Sequence, residues 1–557
     1  MRQFCLAVAD GEPNIGTQKY YLNPDKCSDV AIILLIVFAT RDISVPKGRS
    51  MAPKVTLRLN NADNVVVARV DLAPGALVEG NVTAQDHVPA GHKVATGPIP
   101  KGQAIRKYNQ IIGFASIDIN PGDHVHVQNC AMGDFERDYA IGSDVKPIDY
   151  VKDKERATFE GYVRSNGRVG TRNYIGVLTS VNCSASVARF IARDMENSGF
   201  LENFPGVDGV VALTHSTGCG MAGAGEGYEN LQRVLWGHAR HPNFAGILMV
   251  GLGCEVNQID FLLESYGIDR GPLFQTMNIQ DAGGVRKTVN WGMDMVKEML
   301  PEAAKAKRET VSAEHLSVAL QCGGSDGYSG ITANPALGYA ADLVTRHGGQ
   351  AILAETPEIY GAEHLLTRRA VSEAVGKKLI DRIKWWEDYT ARNGGEMDNN
   401  PSPGNKKGGL TTILEKSLGA AAKGGTTNLA GVYKYGEPAT AKGFVFMDSP
   451  GYDPASITGQ VASGANVVCF TTGRGSVYGN KPCPSIKLAT NTAMYTKMSE
   501  DMDVNCGEIA DGTVSVEEKG TEIFEKFLSI ASGEPSKSEA QGLGDAEFIP
   551  WQVGAVM

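Results

Sequence analysis

The sequence lacks an apolar run long enough to cross a bilayer. Its most apolar stretch, VAIILLIVFAT at 30–40, falls well short of the roughly 20 residues that a membrane-spanning helix needs. Acidic residues precede this stretch, where a secretory signal peptide carries a short basic region. We therefore expect a cytoplasmic protein with no membrane partner.

Excess positive charge and paired cysteines are also missing. The chain has 53 basic against 63 acidic residues, a net charge of -10, which argues against nucleic acid or an anionic membrane as a partner. The ten cysteines include no CxxC pair. This spacing favours a reducing compartment, with reactive or metal-binding thiols as the exceptions.

The length of 557 residues indicates several domains. Residues 51–131 alternate short apolar strands with Pro-Gly turns and predict a small all-β domain. Residues 132–158 are charged and aperiodic, so we expect a linker. Residues 1–50 precede Met51, where a fluent strand pattern begins. We interpret them as an extension that is either disordered or a start-site artefact; the alternative is an extra element packed on the first domain.

From residue 159 onward, apolar β-rich runs alternate with glycine-rich turns and helical segments. This order predicts parallel sheets covered by helices. A connecting helix near 290–309 separates a second α/β domain, 159–309, from a C-terminal one, 310–557. The expected fold class is therefore multi-domain, with a small all-β domain followed by Rossmann-like α/β units.

Polar loops follow five of the predicted strands, where parallel sheets bind ligands. Glycines in such loops let backbone N–H groups approach a carboxylate or phosphate. A tight turn before a helix is the ordinary interpretation of any single loop. The five sequences are HSTGCGMAGAG, GLGCEVNQ, CGGSDGYSG, ETPEIYGAEH and TTGRGSVYGNK.

Three of these loops carry a cysteine: Cys219, Cys254 and Cys322. Thiolates converging from three loops could ligate an iron–sulfur cluster with an open iron position, or a single soft metal ion. The competing interpretation is that each cysteine packs as a small apolar residue behind a glycine turn.

Histidines are concentrated in the β-rich domain. His92 lies in DHVPAGHK, and His124 and His126 form an H-x-H pair in HVHVQN. An H-x-H on a strand places both rings on one face, which makes half of a metal site; the alternative is a solvated strand. Lys93 and Lys107 nearby could bind an acidic substrate or lie on the surface.

Several longer blocks resemble one enzyme family. VPAGHK, KYNQIIGFA and GDHVHVQN are similar to the SAF (β-clip) domain of the altronate and galactarate dehydratases. GRVGTRNYIGVLTSVNC, HSTGCG, GLGCE, LQCGGSDGYSGITANP, NPSPGNKKGG and TTGRGSVYG resemble the catalytic part. The resemblance covers about 55–532 in order. It implies a hydro-lyase that removes water from a sugar acid to give a 2-keto-3-deoxy acid.

The resemblance also implies the site residues. For proton transfer it suggests His92, His215, Lys406 and Glu355. For substrate binding it suggests Ser325, Asp326, Asn334, Asn405, Arg474 and Glu255. The metal is expected to be Fe²⁺, with an iron–sulfur cluster as the second choice. Its ligands would be either His92, His124 and His126 or Cys219, Cys254 and Cys322.

The substrate is predicted from finer motifs. GHKVATGPI, HVHVQN and ETPEIYGAEHLL favour the D-altronate branch, although Gln128 stands where that branch has histidine. Galactarate dehydration, a sulfo-lyase-type elimination and sugar-acid binding without catalysis are the alternatives. The expected partner is a small sugar acid, and a homodimer is the expected assembly.

Overall fold

The computed structural model describes residues 55–133 and 137–556. The predicted extension at 1–50, with its apolar run, lies outside these residues. Within the described part of the chain, no helix combines the length and apolar character needed to cross a membrane.

The first domain is built from short antiparallel strands. They form a four-stranded sheet in the order β1-β2-β5-β8, a three-stranded sheet β6-β7-β9 and the hairpin β3-β4. The strands are β1 (Thr56–Leu57), β2 (Val65–Ala68), β3 (Leu77–Glu79), β4 (Val82–Thr83), β5 (Lys93–Ala95), β6 (Ala104–Lys107), β7 (Gln110–Ala115), β8 (His124–Val125) and β9 (Cys130–Ala131).

The pairing of β5 with β8 gathers histidines at one end of this sheet. Lys93 lies opposite Val125 and Val94 opposite His124. Continuing this register places His92, just before β5, opposite His126, just after β8. Side chains at directly opposed positions share a face. The strand register therefore brings His92 beside His124, 32 residues later in the sequence, and beside His126.

The segment 137–157, within the predicted linker 132–158, contains no strand and no α-helix. It runs along the C-terminal domain, where Tyr139 donates a hydrogen bond to Glu363 and Lys146 binds Asn428. A small antiparallel sheet in the order β11-β10-β16 then brackets the second domain. Its strands are β10 (Thr158–Val163), β11 (Val169–Gly170) and β16 (Arg308–Ser312).

The second domain is a four-stranded parallel sheet in the order β13-β12-β14-β15. Helices α1 and α5 cover one face, and α2 and α3 pack on the other. The elements are β12 (Tyr174–Thr179), α1 (Ala185–Asn197), β13 (Gly209–Leu213), α2 (Glu226–Ala239), β14 (Phe244–Gly251), α3 (Ile259–Tyr266), β15 (Phe274–Asn278), α4 (Ile279–Ala282) and α5 (Val285–Ala303).

The C-terminal domain is a seven-stranded parallel sheet in the order β19-β20-β18-β17-β21-β22-β23. Its strands are buried on both faces, which explains their continuous apolar character. They are β17 (Ser317–Cys322), β18 (Gln350–Leu353), β19 (Leu429–Tyr433), β20 (Gly443–Met447), β21 (Val467–Thr472), β22 (Ser485–Ala489) and β23 (Val504–Asn505).

Ten α-helices accompany this sheet in the described residues. The first of them begins at Ala333 and has Pro335 in its first turn, where a missing N–H costs nothing. The helices are α6 (Ala333–Arg346), α7 (His364–Thr367), α8 (Glu373–Arg392), α9 (Pro403–Lys407), α10 (Ile413–Ala422), α11 (Asp453–Ser463), α12 (Thr492–Lys497), α13 (Gly507–Asp511), α14 (Val516–Ala531) and α15 (Lys537–Ala540).

A buried ion triad fixes the β-clip domain to the C-terminal domain. Lys93 and Lys107 each donate to one carboxylate oxygen of Glu415 on α10, at 2.8 and 3.0 Å. Burial alone would raise the pKa of Glu415, but the two ammonium groups hold it well below its usual value. Both lysines are buried, so neither lies on the surface as the sequence alternative suggested. They anchor the domain instead.

Candidate active site

A cavity of about 410 Å³ lies where the β-clip domain meets the C-terminal sheet. Its lining includes His92 from the turn before β5 and Asp326 from the loop after β17. Lys407, at the end of α9, and Arg474, in the loop after β21, complete the polar wall. Three of the predicted site residues, His92, Asp326 and Arg474, therefore share one cavity.

Asp326 is the buried carboxylate of this cavity. Its Oδ1 accepts hydrogen bonds from Tyr328 N, Ser329 Oγ and Thr490 Oγ1 at 3.1, 3.0 and 2.9 Å. Its Oδ2 accepts one from Asn491 Nδ2 at 3.1 Å. Burial raises the pKa of Asp326, and the four hydrogen bonds oppose that rise. Oδ2 thus keeps acceptor capacity toward the cavity.

Glycines allow the loops around Asp326 to approach so closely. A Cβ on Gly473 would lie 2.1 Å from the Asp326 carboxyl carbon, and one on Gly327 would lie 2.0 Å from the carbonyl oxygen of Gly91. Gly327 N also donates to Gly408 O at 2.8 Å. The glycines of CGGSDGYSG therefore serve as contact points between three loops.

The three histidines of the β-clip domain stack beside the cavity, with ring centroids 4.9 to 5.4 Å apart. His92 Nδ1 lies 3.0 Å from His124 Nε2. Burial lowers the pKa of His92 to about 4 and of His124 to about 3, and it lowers the pKa of His126 as well. All three rings are neutral at pH 7, as metal ligation requires.

The histidines fit a divalent metal ion in part. Nε2 of His92 and of His126 face the backbone carbonyls of Lys407 and Lys406 at 3.2 and 2.8 Å. A carbonyl on one ring nitrogen is the usual support for a metal on the other. His92 and His124 present facing nitrogens, whereas the third ring does not bring its nitrogen to the same point.

The loop NPSPGNKKGG folds into the short helix α9 at the cavity wall. Ser402 is the N-cap of this helix, and Asn405 completes the capping box by accepting from Ser402 N and Oγ at 3.0 and 2.9 Å. The Nδ2 of Asn405 donates to Ser325 O at 2.9 Å. Asn405 therefore joins two loops. Lys407 lines the cavity, whereas Lys406, the predicted proton-transfer residue, does not.

Ser325 and Asn334 are buried within the loop and helix behind Asp326. The Asn334 side chain donates to Gly419 O at 2.9 Å and accepts from Thr471 Oγ1 at 2.6 Å. Through these bonds the side-chain amide of Asn334 joins α6 to α10 and β21. Neither residue is part of the cavity lining.

Glu355 and Cys322, predicted for different roles, meet in a buried cluster with Glu358. One ligand atom from each of the three lies within 4.8 Å of the others. Lys423 Nζ lies 2.9 Å from Cys322 Sγ and 3.7 Å from Glu355, and Lys416 Nζ lies 2.7 Å from Glu358. None of these five residues lines the cavity.

Charge in this cluster is unevenly distributed. Burial raises the pKa of Glu355 well above its usual value, and the carboxylate of Glu358 adds to the rise. Burial also acts to raise the pKa of Glu358, but Lys416, Lys423 and Asn400 together outweigh it, so that this pKa is lowered. Burial raises the pKa of Cys322 to about 11. Both Glu355 oxygens lack a hydrogen-bond partner, and its φ of 72° is strained.

His215 and Glu255 lie at the carboxyl edge of the four-stranded sheet, away from the cavity. His215 Nε2 lies 2.9 Å from Thr179 O, and its Nδ1 accepts from Thr217 N at 3.3 Å. Glu255 accepts from Ser180 Oγ and from the backbone N–H groups of 252 and 253 at 2.5, 3.2 and 2.7 Å. Both side chains are occupied in joining loops.

The predicted three-cysteine ligand set does not form. Cys219 and Cys254 are exposed at the edge of the four-stranded sheet, whereas Cys322 is buried in the seven-stranded one. Among the described residues, no compact group of metal-ligand atoms unites the three. The prediction took them together because each follows a strand, but the strands belong to different sheets.

A larger cavity, of about 810 Å³, lies between α1 and the segment 539–546. It contains none of the predicted site residues. Its charged groups are already engaged locally, with Lys481 2.7 Å from Asp545 and Arg189 donating to Thr214 at 2.8 Å. The larger volume therefore does not identify the active site. The smaller cavity is the candidate, because acidic, basic and imidazole side chains meet there.

Comparison with known proteins assigns all three domains. Residues 54–133 match the altronate/galactarate dehydratase SAF domain. Residues 161–304 match the D-galactarate dehydratase/altronate hydrolase second domain, and 313–556 match the D-galactarate/altronate dehydratase C-terminal domain. The chain belongs to the D-galactarate/altronate dehydratase family. It is thus a member of a hydro-lyase family, and the predicted resemblance is confirmed.

Relatives within this family and beside it cover most of the chain. Altronate dehydratase of Bacillus subtilis is 34% identical over 86% of this chain and 96% of its own. Galactarate dehydratase (L-threo-forming) of Escherichia coli is 36% identical over 86% and 92%. The (2R)-sulfolactate sulfo-lyase subunit beta of Chromohalobacter salexigens is 31% identical over 70% and 96%.

Family membership confirms the fold class but tests no residue role. The sequence missed Lys407, Asn491 and Lys497 in the cavity, and Glu358 in the buried cluster. Lys407 could have been predicted from the sequence, because it adjoins Lys406 in the same loop. Asn491 and Lys497 follow β22 and lie on or before α12, where no glycine-rich motif marks them. The homodimer and the cytoplasmic location stay predictions.

Proposed function

We propose that this protein removes water from a six-carbon sugar acid, taking the proton from C2 and the hydroxyl from C3 to give a 2-keto-3-deoxy acid. The observation that carries the proposal is the single cavity in which Asp326 and His92 face the cations Lys407 and Arg474. Family membership supports the reaction class.

Binding of the substrate carboxylate is assigned to Arg474 and Lys407. A hydrogen on C2, beside a carboxylate, is weakly acidic, because its removal places a second negative charge on the acid. Fixed cations next to the carboxylate stabilise that charge as it develops. Arg474 offers a planar pair of donors that matches a carboxylate.

Proton transfer is assigned to Asp326 and Lys407. Asp326 Oδ2 accepts one hydrogen bond while Oδ1 accepts three, so Oδ2 is the atom we assign as base at C2. Its raised pKa makes it a stronger base than an exposed carboxylate. The ammonium of Lys407 is the donor we assign to the leaving C3 hydroxyl.

Fe²⁺ is the metal we propose, with His92 and His124 as its protein ligands. Their neutral, adjacent rings suit a borderline divalent ion. When bound, such an ion supplies Lewis-acid polarisation of a substrate oxygen. His126 stays in the proposal as the stacked neighbour that positions the other two rings.

D-altronate is the substrate we propose first, from the motifs GHKVATGPI, HVHVQN and ETPEIYGAEHLL. Galactarate is the second candidate, because a third cation, Lys497, also lines the cavity. A second carboxylate would have a partner there, whereas the terminal hydroxyl of altronate would not need one.

The test is an assay of the full chain with Fe²⁺ and a thiol reductant. D-altronate, galactarate, other aldonates and aldarates and (2R)-sulfolactate are supplied separately, and 2-keto-3-deoxy products and sulfite are measured. We expect a keto-deoxy product from a sugar acid. Sulfite from sulfolactate alone would replace the proposal by a sulfo-lyase, and binding of a sugar acid without product would replace it by a binding protein.

A further inference from the structure

The exposed cysteines of the described residues all lie at one place. Eight cysteines fall in this part of the chain; Cys130, Cys322, Cys469, Cys483 and Cys506 are buried, and Cys183, Cys219 and Cys254 are exposed. Each exposed one follows a different strand of the four-stranded parallel sheet, after β12, β13 and β14. Because these strands are adjacent and parallel, the three thiols share one carboxyl edge.

Hydrogen bonds hold the three cysteine loops against one another. Asn182, next to Cys183, donates through its backbone N to Thr217 O at 2.9 Å. Gly218, next to Cys219, accepts from Asn257 N at 3.0 Å. A Cβ on Gly218 would lie 2.3 Å from Ser180 O, so this loop touches the loop of Cys183 directly.

The loop that carries Cys254 is also bonded to the loop that carries Cys183. Asn257, three residues after Cys254, donates through Nδ2 to Ser180 O at 2.9 Å. Glu255, next to Cys254, accepts from Ser180 Oγ at 2.5 Å. Every pair of cysteine loops is thus joined by hydrogen bonds. The loops are fixed relative to one another, while the thiols themselves stay open to solvent.

Within the part of the chain that the structure describes, the neighbouring His215 and Glu255 do not offer a fourth ligand. Both ring nitrogens of His215 are taken by backbone groups, and both oxygens of Glu255 already accept hydrogen bonds. The three sulfurs are not all within 4.8 Å of one another, farther apart than the ligands of one tetrahedral zinc ion, whose Zn–S bonds are about 2.3 Å. A polynuclear centre, in which each cysteine binds a different iron, does not require the sulfurs to lie that close together.

We propose that Cys183, Cys219 and Cys254 bind a [4Fe–4S] cluster. Each thiol loses its proton as its sulfur binds one iron, and the fourth iron is left without a cysteine and open to solvent. Gln280 Nε2 lies 3.3 Å from Cys254 Sγ, a hydrogen bond of the kind that tunes cluster potentials. The site belongs to the second domain and is separate from the cavity assigned to dehydration.

The proposal corrects the three-cysteine set predicted from the sequence. Cys183 takes the place of Cys322, because it lies on the same sheet edge as Cys219 and Cys254. The motif SVNCSAS follows its strand as directly as the other two motifs follow theirs. It lacks the glycines that mark the other two loops.

The test uses the full chain, purified without oxygen and reconstituted with iron and sulfide. Iron and acid-labile sulfide are counted per chain, and Mössbauer and EPR spectra are recorded. We expect about four sulfides and about five irons per chain, four irons in the cluster and one at the Fe²⁺ site proposed for His92 and His124. Iron bound without sulfide, or zinc bound in place of iron, would overturn the proposal.

Single variants locate the cluster. Cys183→Ser, Cys219→Ser and Cys254→Ser should each reduce sulfide content several-fold, whereas the buried control Cys506→Ala should keep it. Circular dichroism and melting temperature check that each variant folds. Full sulfide content in the three serine variants would contradict the assignment. These counts do not depend on turnover, so a protein that holds the cluster but dehydrates no sugar acid would overturn only the proposed function.

Discussion

The two parallel sheets carry polar loops at their carboxyl edges, yet they use them differently. At the four-stranded sheet, His215 and Glu255 are fully engaged in joining loops, and the groups that remain open are thiols. At the seven-stranded sheet, the β-clip domain covers the edge, and the groups that face the cavity are a carboxylate and cations. The same strand-end position thus yields a soft-ligand site in one sheet and an acid-binding site in the other.

The buried triad of Lys93, Lys107 and Glu415 holds the β-clip domain over the carboxyl edge of the seven-stranded sheet. Glu415→Gln leaves two buried ammonium groups without their counter-charge, and we expect a loss of about 3–5 kcal/mol in unfolding free energy. Urea denaturation measures it. Lys305→Met, which breaks an exposed ion pair with Glu302, is the control and should lose about 1 kcal/mol or less.

The same carboxylate gives a pH dependence. The folded-state pKa of Glu415 is depressed, so its stabilisation is present above the unfolded pKa of about 4.3 and is lost as pH falls through the folded value. Wild-type stability should therefore fall steeply below about pH 4. Glu415→Gln should show a shallower fall, and an equal slope in both proteins would contradict the anchor.

Removing a cation from the edge that the β-clip domain covers should destabilise the protein less than removing Glu415 does. It should instead lower the catalytic efficiency. Arg474→Gln should lower kcat/KM by about 10²-fold, or roughly 2.7 kcal/mol, because charge develops on the carboxylate in the transition state. Melting temperature should be unchanged, since Arg474 is exposed. A change in KM alone would show that Arg474 binds substrate and intermediate equally.

Lys497, the third cation of the cavity, should distinguish galactarate from D-altronate. Lys497→Met should reduce kcat/KM for galactarate by about 10-fold, the loss expected for one charge-assisted contact, and leave D-altronate nearly unchanged. Lys487, buried between β21 and β23, is not a suitable control, whereas Lys526 is, because it is partly exposed and does not line the cavity. Equal losses on both substrates would remove the second-carboxylate argument.

At the four-stranded edge, a histidine change should affect stability alone. His215→Asn should cost about 1–2 kcal/mol through two backbone hydrogen bonds and change kcat/KM less than about 3-fold. Burial lowers the folded pKa of His215 to about 4, against about 6.5 unfolded. The unfolded chain thus binds the extra proton first, and wild-type stability should fall between pH 6.5 and 4 more than that of the variant.

The sequence predicted more of the fold than of the site. Strand–turn–helix alternation is local, so the β-clip domain and both α/β sheets could be predicted. Assignment of a strand to a sheet is not local, and Cys322 was therefore grouped with Cys219 and Cys254. Burial is not local either: Lys93 and Lys107 look like surface lysines until Glu415, over 300 residues later, is placed beside them. His92, Asp326 and Arg474 could be chosen because motifs flank them, whereas Lys497 has none.

The most direct test compares one buried carboxylate from each edge. Asp326 and Glu255 are both buried, and both accept hydrogen bonds from backbone and side chains. We expect Asp326→Asn to lower kcat/KM for the sugar acid by about 10²–10⁴-fold, and Glu255→Gln to lower it by less than about 10-fold, with both proteins folded by circular dichroism. The opposite order would move the dehydration site to the four-stranded sheet and contradict the assignment.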